Sequence, residues 1–419
     1  MQAILGENLV IDRKARMRIP LVDVVARPPE ERVADFQATY LPLTEEQARQ
    51  AAERCIHCPD PAPCYQACPV HNDIPSAMWL IERGEFLAAA EVYRSTSSLP
   101  EVCGLVCPHE ALCQGSCVRS KREEPVLTGA LEAFVTAYQR ANGGVKVPVG
   151  APTGKKVACI GAGPSSLACA ELLRREGHAV TIFEALPHAG GLLIYGIPNF
   201  KLPKEIVMAR LEDYRNAGVE FVTGVRIGKD KTVDDLLAGG YDAVYVGIGT
   251  GVDATLDAPG ADLPGVYLAT DFLIRTNVDP ALLPEEKKEM PSIGRRVVVI
   301  GGGDTASDCL RTALRMGAEQ VTCLYRRTEA EMPGGKKDRE LAKEEGAKYR
   351  FLTQPVRFIA GPDGRLSAAE CLQCELGEPD SSGRRRPIPI EGSNFTVSAD
   401  TAILALGYWP DPAVGKTTP

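Results

Sequence analysis

No uninterrupted apolar run in this 419-residue sequence approaches the roughly 20 residues that a membrane-spanning helix needs. The opening stretch MQAILGENLVIDRKARMRIP also lacks the apolar centre of a secretory signal. Positive charge is in deficit: 47 Lys and Arg stand against 55 Asp and Glu, a formal net charge of −8. That balance argues against a nucleic-acid partner. Histidine is scarce, five in all, and the five form no triad-like arrangement. These absences point to a cytoplasmic globular protein, and the length allows two or three domains.

Cysteine, by contrast, is plentiful, with 14 residues. A reducing cytosol makes disulfides rare, so dense cysteine spacing there points to metal. Four fall in RCIHCPDPAPCYQACP as Cys55, Cys58, Cys64 and Cys68. Four more fall in CGLVCPHEALCQGSC as Cys103, Cys107, Cys113 and Cys117. Zinc sites prefer two pairs with a long separator. The first group instead reads C-x2-C-x5-C-x3-C-P, an expanded form of the ferredoxin-type run whose last cysteine, followed by Pro, ligates a second cluster. The spacing therefore predicts three ligands for one iron–sulfur cluster, with Cys68 crossing to another. Eight cysteines can supply two four-iron clusters. The other six (Cys159, Cys169, Cys309, Cys323, Cys371 and Cys374) are scattered through apolar segments, where a free thiol packs as a small hydrophobe. Cys371 and Cys374 read as core positions of a strand.

Residues 1–43 are punctuated by Pro and Arg and predict an extended arm. Thr44-Glu45-Glu46-Gln47 reads as a capping box opening a short helix that delivers Cys55. Helical patterns recur at IPSAMWLIERGEFLAAAEVYR and TGALEAFVTAYQRA with no strand pattern between them. GGVKVPVGAPTG has linker composition. From Lys155 the texture changes to strand, glycine turn, helix and strand: KKVACI, GAGPSS, LACAELLRREG, AVTIFEA. A second such unit begins at Arg295 with RRVVVI, GGGDTA, SDCLRTALRMGA and VTCLYRR. Two nucleotide-binding units are thus the main internal repeat. AVYVGIGTG (243–251) and TAILALG (401–407) read as further buried strands, and 350–400 as polar, turn-rich strands.

Each glycine turn follows a strand and opens a helix, the context in which glycines admit a pyrophosphate and the helix N-terminus favours its charge. The first has Gly161 and Gly163, then Pro164 and Ser165, with Ser166 in place of the third glycine. Glu184 ends the next strand, where a carboxylate accepts from ribose hydroxyls. The second has Gly301 and Gly303, with Ala306 at the third position. Its next strand ends in no acid but in Arg326-Arg327, which suits the 2′-phosphate of NADP(H) over NAD(H). Asp304 and Thr305 open the helix and are expected near the pyrophosphate or nicotinamide end.

Taken together, the two cysteine groups followed by GAGPSSLA, GGLLIYGIPNFKLP and GGGDTASDC resemble the glutamate synthase small-subunit family. They equally resemble the N-terminal electron-entry half of dihydropyrimidine dehydrogenase. The resemblance covers roughly residues 40–415, and the combination is far more specific than any single motif. It implies that Cys55, Cys58, Cys64 and Cys117 hold one 4Fe-4S cluster and that Cys68, Cys107 and Cys113 hold the other. In the family the fourth ligand of that second cluster is a Gln or Glu following an I-G-x-x pattern. TGALE places Glu132 there, with Thr128 in place of the usual Ile; the plainer alternative is an exposed helical carboxylate. Cys103 matches a cysteine the family does not use. The first glycine turn is assigned to FAD, with Gly191 and Leu192 in the flavin-facing loop GGLLIYGIP. The fold implied is α/β: a small helical iron–sulfur domain, then two nested Rossmann-like domains of the FAD/NAD(P)-linked disulfide-reductase type. The expected division is an arm at 1–43, the cluster domain at 44–150, an FAD domain at 151–285 and 395–419, and an NADPH domain at 286–394.

The resemblance implies an NADPH-dependent FAD/iron–sulfur oxidoreductase subunit. A hydride carries two electrons and a four-iron cluster takes one, so a flavin is expected between them. No side chain need act as nucleophile or base, because the cofactors carry the chemistry. His57 and His71 are expected to pack on the clusters or hydrogen-bond to them. No stretch remains for a pyrimidine-binding barrel or a glutamine-hydrolysing domain. The partner is therefore expected to be another chain, such as a glutamate synthase large subunit or a ferredoxin-like acceptor. Alternatives are the electron-transfer subunit of a dihydropyrimidine dehydrogenase or ferredoxin:NADP oxidoreductase complex, or a non-catalytic cluster-binding assembly module. Relatives continue past the last strand to a Gly-Asp turn and a helix over the flavin. This sequence stops at ALGYWPDPAVGKTTP, which predicts a fragment.

Overall fold

The computed structural model describes residues 11–418. The expected arm, of which 1–10 lie outside that range, does more than extend. It carries two single-turn helices, Arg13–Arg16 and Pro29–Arg32. It then crosses the molecule: Arg16 pairs with Glu82 at 2.6 Å, and Thr39 donates its hydroxyl to Phe200 O at 3.0 Å.

The cysteine domain is helical: α1 Glu45–Glu53, α2 Pro63–Ala67, α3 Ile74–Glu82, α4 Phe86–Thr96, α5 Pro100–Val106 and α6 Thr128–Asn142. The predicted capping box is present, with Gln47 N donating to Thr44 Oγ1 at 3.2 Å and Thr44 N to Gln47 Oε1 at 2.9 Å. The single helical pattern at 74–94 is two helices. Gly84, at φ +80°, turns the chain between them, where an L-residue would be strained. Small residues let these helices approach: Ala48, Ala51, Ala52, Ala77 and Ala90 are fully buried against Met78, Ile81 and Leu131.

The first nucleotide half contains β1 Lys156–Ile160, α7 Pro164–Arg175, β2 Ala179–Glu184, α8 Lys204–Asn216, β3 Val219–Thr223 and β4 Ala243–Val246. The strands form a parallel sheet in the order β3-β2-β1-β4. Two expectations change here. β4 has a neighbour on one side only, so it is an edge rather than a buried strand, and Val246 is 50 % exposed. The apolar run TAIL does not rejoin this half.

The second half contains β5 Val266–Leu268, β6 Arg296–Ile300, α9 Asp304–Arg315, β7 Gln320–Leu324, α10 Lys336–Glu344 and β8 Lys348–Arg350. Four antiparallel strands follow: β9 Thr353–Ala360, β10 Leu366–Pro379, β11 Arg385–Pro389 and β12 Phe395–Ser398. β13 Thr401–Leu404 then inserts between β5 and β6, giving the parallel order β5-β13-β6-β7-β8. Buried on both faces, β13 needs a sheet interior, which the second half supplies. Sheet pairing therefore corrects the expected division: β5 and β13 belong with the second half, not the first. The chain end then returns to the first half, with Asp411 paired to Arg226 at 3.2 Å and α11 Ala413–Thr417 laying Val414 against Ile227 and Leu236. Cys371 and Cys374 are core residues, as expected.

Two buried carboxylates clamp the parts together. Between the cysteine domain and the first half, Glu101 lies 3.2 Å from Arg94, 3.1 Å from Arg140 and 3.7 Å from Arg210. Between the arm and the second half, Glu345 lies 2.8 Å from Arg311, 2.7 Å from Arg315 and 3.3 Å from Arg32. Arg311 and Arg315 also stack over Phe200, at 4.5 and 4.0 Å from its ring centre. Phe200 lies two residues past the loop read as flavin-facing, on the chain leading into α8, so the second clamp grips both halves. Among the described residues no helix is long and apolar enough to cross a membrane.

Candidate functional site

Cys55, Cys58, Cys64 and Cys117 line one cavity, although 62 residues of chain separate the first from the last. α1 ends just before Cys55, α2 presents Cys64 in its first turn, and Cys117 opens a single 3-10 turn. The rest of the lining is largely apolar, including Ile74, Met78 and Val126. Burial pushes the Cys55 thiol up to about 12, and Cys64 rises for the same reason, aided by its neighbouring thiols. Among the described residues no three His, Cys, Asp or Glu side chains meet closely enough to hold a single metal ion. The four thiols instead surround a space. Soft sulfur donors around a largely apolar cavity fit an iron–sulfur core.

The second group is assembled differently. Cys68 follows α2, Cys107 follows α5, and Cys113 Sγ lies 3.0 Å from Thr128 Oγ1. Glu132 on α6 is not an exposed carboxylate: it is 6 % exposed, and its Oε1 has no hydrogen-bond partner. Burial raises its carboxyl well above the usual range, and the fields of Cys103 and Glu101 add to that. Tyr93 on α4 is 1 % exposed, and its hydroxyl is also without a partner. Buried polar atoms are nearly always satisfied, so orphaned oxygens beside thiols fit a site shaped for a cluster. Cys103 lies 3.8 Å from Ser97 Oγ. Of the two histidines, His57 is buried edge-on to Trp79 with 5.7 Å between ring centres, and His71 Nδ1 lies 3.1 Å from Tyr65 O.

At the first glycine turn, Gly161 has φ +86°, and a Cβ there would come within 2.7 Å of Gly247 O. Gly163 caps α7 and faces open space, with Pro164 and Ser165 in the helix's first turn. Ser166 replaces the third glycine because the compensating glycine is across from it: any side chain on Gly247 would strike the Ser166 hydroxyl. Glu184 is buried, accepting from Ala162 N at 2.8 Å and Leu186 N at 2.9 Å. Gly190 N donates to Ala162 O at 3.0 Å, which draws the following loop against the turn. Gly191 lies so close that a Cβ would meet Gly163 Cα at 2.7 Å, while Leu192 is 59 % exposed. Further along that loop, Lys201 pairs with Asp308 at 3.0 Å and Asp338 at 2.8 Å, joining it to the second half. Lys204 donates to Leu193 O and Ile197 O, and burial lowers its ammonium to about 8.

At the second turn, Gly303 caps α9 and likewise faces open space, with Ala306 buried behind it. Open faces at Gly163 and Gly303, each at a helix N-terminus, are the room a pyrophosphate needs. The side chains of Asp304 and Thr305 also make contacts within the protein: Asp304 Oδ1 accepts from Gly335 N at 2.8 Å, and Thr305 Oγ1 lies 3.1 Å from the Tyr408 hydroxyl. The arginine pair divides. Arg327 is buried, donating to Asp380 at 2.8 Å and to Arg385 O at 2.6 Å, so it braces the β10–β11 hairpin. Arg326 is exposed. Of the two arginines expected at a 2′-phosphate, Arg326 is the one that faces solvent.

Several residues here were not singled out in the sequence. Gly334 N donates to Gly302 O at 3.1 Å, forming a strap against the second turn. Lys336 N donates to Glu110, which lies between Cys107 and Cys113, so the strap touches the cluster domain. The double glycine in MPGGKK, echoing that in HAGGLL, was a signal for the strap. Nothing local marked Glu110 or Tyr93.

Residues 32–144 match the family described as dihydropyrimidine dehydrogenase domain II, 4Fe-4S cluster, and residues 155–417 match the pyridine nucleotide-disulphide oxidoreductase family. The glutamate synthase [NADPH] small chain of Escherichia coli (strain K12) is 42% identical over 93% of this chain and 83% of its own length. The putative oxidoreductase AegA of the same organism is 44% identical over 91% of this chain, which spans only 58% of that relative. Among solved structures, Mycobacterium tuberculosis FprA in complex with NADPH shares the fold, with TM-score 0.53 and 22% identity over 62% of this chain and 72% of its own. The chain belongs to the glutamate synthase small-chain family, and it is an oxidoreductase chain with a 4Fe-4S domain ahead of a pyridine nucleotide-disulphide oxidoreductase domain.

Proposed function

We propose that the chain is an electron-entry subunit that takes electrons from NADPH through FAD and two 4Fe-4S clusters to a partner chain, as in a glutamate synthase. Bound flavin accepts electrons in pairs and releases them singly, and the clusters carry them one at a time. The protein's part is to hold and space these groups. Gly161, Gly163, Pro164, Ser165, Gly191 and Leu192 would frame the flavin nucleotide, and Glu184 would take its ribose hydroxyls. Gly301, Gly303, Asp304, Thr305 and Ala306 would frame NADPH, with Arg326 on the 2′-phosphate. Cys55, Cys58, Cys64 and Cys117 would hold the first cluster, and Cys68, Cys107, Cys113 and Glu132 the second.

The observation that carries this reading is the convergence of Cys55, Cys58, Cys64 and Cys117 on one cavity. The partner would be a larger catalytic subunit or a ferredoxin-like acceptor, and the compartment the cytoplasm. An anaerobic visible spectrum before and after NADPH, with iron and flavin quantified, tests the scheme. About eight irons per chain, one FAD and bleaching by NADPH are expected from two four-iron clusters and a flavin. A colourless, zinc-loaded protein would rule it out.

A further inference from the structure

The arm meets the first cysteine site at the loop from Cys55 to Cys58. Arg13 donates from Nε to Ile56 O at 3.1 Å and from Nη2 to His57 O at 2.9 Å. Arg16 donates from Nη1 to Cys55 O at 3.0 Å, and its pair with Glu82 fixes it there. The carbonyls of Cys55, Ile56 and His57 are thus all turned toward the arm. In a trans peptide the C=O and the next N–H point in opposite directions. The N–H groups of Ile56, His57 and Cys58 are therefore turned away from the arm. None of the three donates to a backbone oxygen among the described residues. Cys55, Ile56 and Cys58 line the cavity on that other side. Burial pushes the Cys55 thiol up, and a hydrogen bond from the His57 backbone acts against that. His57 itself holds φ +47°, a left-handed conformation uncommon for a residue with a side chain. Arg13 grips the carbonyl of that residue with two nitrogens, at 2.9 and 3.3 Å. Arg119, two residues past Cys117, ties the arm to the same site, donating to Arg16 O at 2.8 Å and Arg54 O at 3.1 Å.

We propose that Arg13 is a positioning residue for the first cluster: it holds the Ile56 and His57 carbonyls toward the arm, aims the loop's N–H groups at the cluster's sulfurs, and so makes that cluster easier to reduce. The inference rests on the reading of Cys55, Cys58, Cys64 and Cys117 as a cluster site. Its sign follows from electrostatics: reduction adds negative charge, and N–H donors to the sulfurs stabilise the more negative state. The arm thus biases electrons to rest on the first cluster.

The test is an EPR-monitored redox titration of the full, cluster-loaded chain, wild type against Arg13→Met and Arg13→Lys. The first cluster's signal is identified as the one altered by Cys117→Ser. Arg13 is exposed, so the fold and the iron content should survive either change. In Arg13→Met the first cluster should become several-fold to about tenfold harder to reduce, tenfold being about 59 mV for one electron. The second cluster should shift less. Amide exchange at His57 and Cys58 should also quicken, which loss of a distant charge would not cause. Arg13→Lys keeps the charge but not the fork that spans two carbonyls. Its potential should therefore stay nearer the methionine variant than the wild type. An unchanged first-cluster potential with full iron content would overturn the inference, as would the wild-type potential in Arg13→Lys or equal shifts of both clusters. A wild-type chain that binds no iron would overturn the cluster reading itself, and the role of Arg13 with it.

Discussion

Gly190 and Gly334 do the same thing in the two nucleotide halves. Each follows the strand after a glycine turn and donates its N–H back to the turn's middle residue, Ala162 O in one half and Gly302 O in the other. Gly161 and Gly301 both have positive φ, and both lie against the carbonyl of the strand exit beside them. The halves part at the end of the second strand. There the first has Glu184, held by two backbone N–H groups, and the second has the exposed Arg326. The glycine turn and its strap are thus duplicated nearly intact, and the halves differ in one strand-end side chain each: a buried carboxylate and an exposed guanidinium.

Removing one half's anchor should break the comparison most strongly. Burial works against the charge on Glu345, but hydrogen bonds from Arg311 and Arg315 outweigh it and hold the carboxyl below its ordinary range. Glu345→Gln leaves three buried guanidiniums facing a neutral group, at a cost of about 3 kcal/mol or more. Chemical denaturation should show the second half weakened, with NADP+ binding lost before FAD. Because the folded pKa is depressed, this stabilisation is present above the unfolded value of about 4.3 and is lost as pH falls through the folded one. The stability gap between wild type and variant should therefore close as acid is added below about pH 4.3.

The two double glycines should differ in sensitivity. Gly191→Ala strains a φ of +51° and brings Cβ to 2.7 Å from Gly163 Cα. Gly334 has no positive φ, and a Cβ would meet Gly303 C at 2.9 Å. Flavin content should fall sharply in the first variant. Gly334→Ala should retain FAD and weaken NADP+ binding about tenfold by calorimetry, the cost of modest overpacking.

The strand-end contrast acts on the choice of cofactor alone. A charge-assisted hydrogen bond is worth about 1.5–3 kcal/mol. Arg326→Ala should therefore lower the NADPH-over-NADH ratio of kcat/KM about 10- to 100-fold. Arg327→Ala should leave that ratio in place. Equal losses in the two variants would contradict the division of labour between them.

Much of this was legible in the sequence because it is local. The capping box at Thr44, both glycine turns, Glu184 and the cysteine spacing each announce themselves within a few residues. The partition of sheets was not, because TAIL reads as a buried strand wherever it is placed, and pairing with β6 is a long-range matter. The brace on Arg327 was hidden for the same reason, since Asp380, which holds it, lies 53 residues away. Glu132 was reached through family resemblance, and the structure adds its burial. Tyr93 and Glu110 acquire meaning only from neighbours brought in by folding.

The clamps at Glu101 and Glu345 have one more consequence, in ionic strength. Both carboxylates and most of their arginines are shut away from solvent, beyond the reach of mobile counterions that screen exposed charges within about 10 Å at 0.1 M salt. The relative placement of the cysteine domain and the two nucleotide halves is therefore set when the chain folds, not by the medium around it. Salt can act on encounters at the surface of such a molecule while leaving the route through its interior as it was.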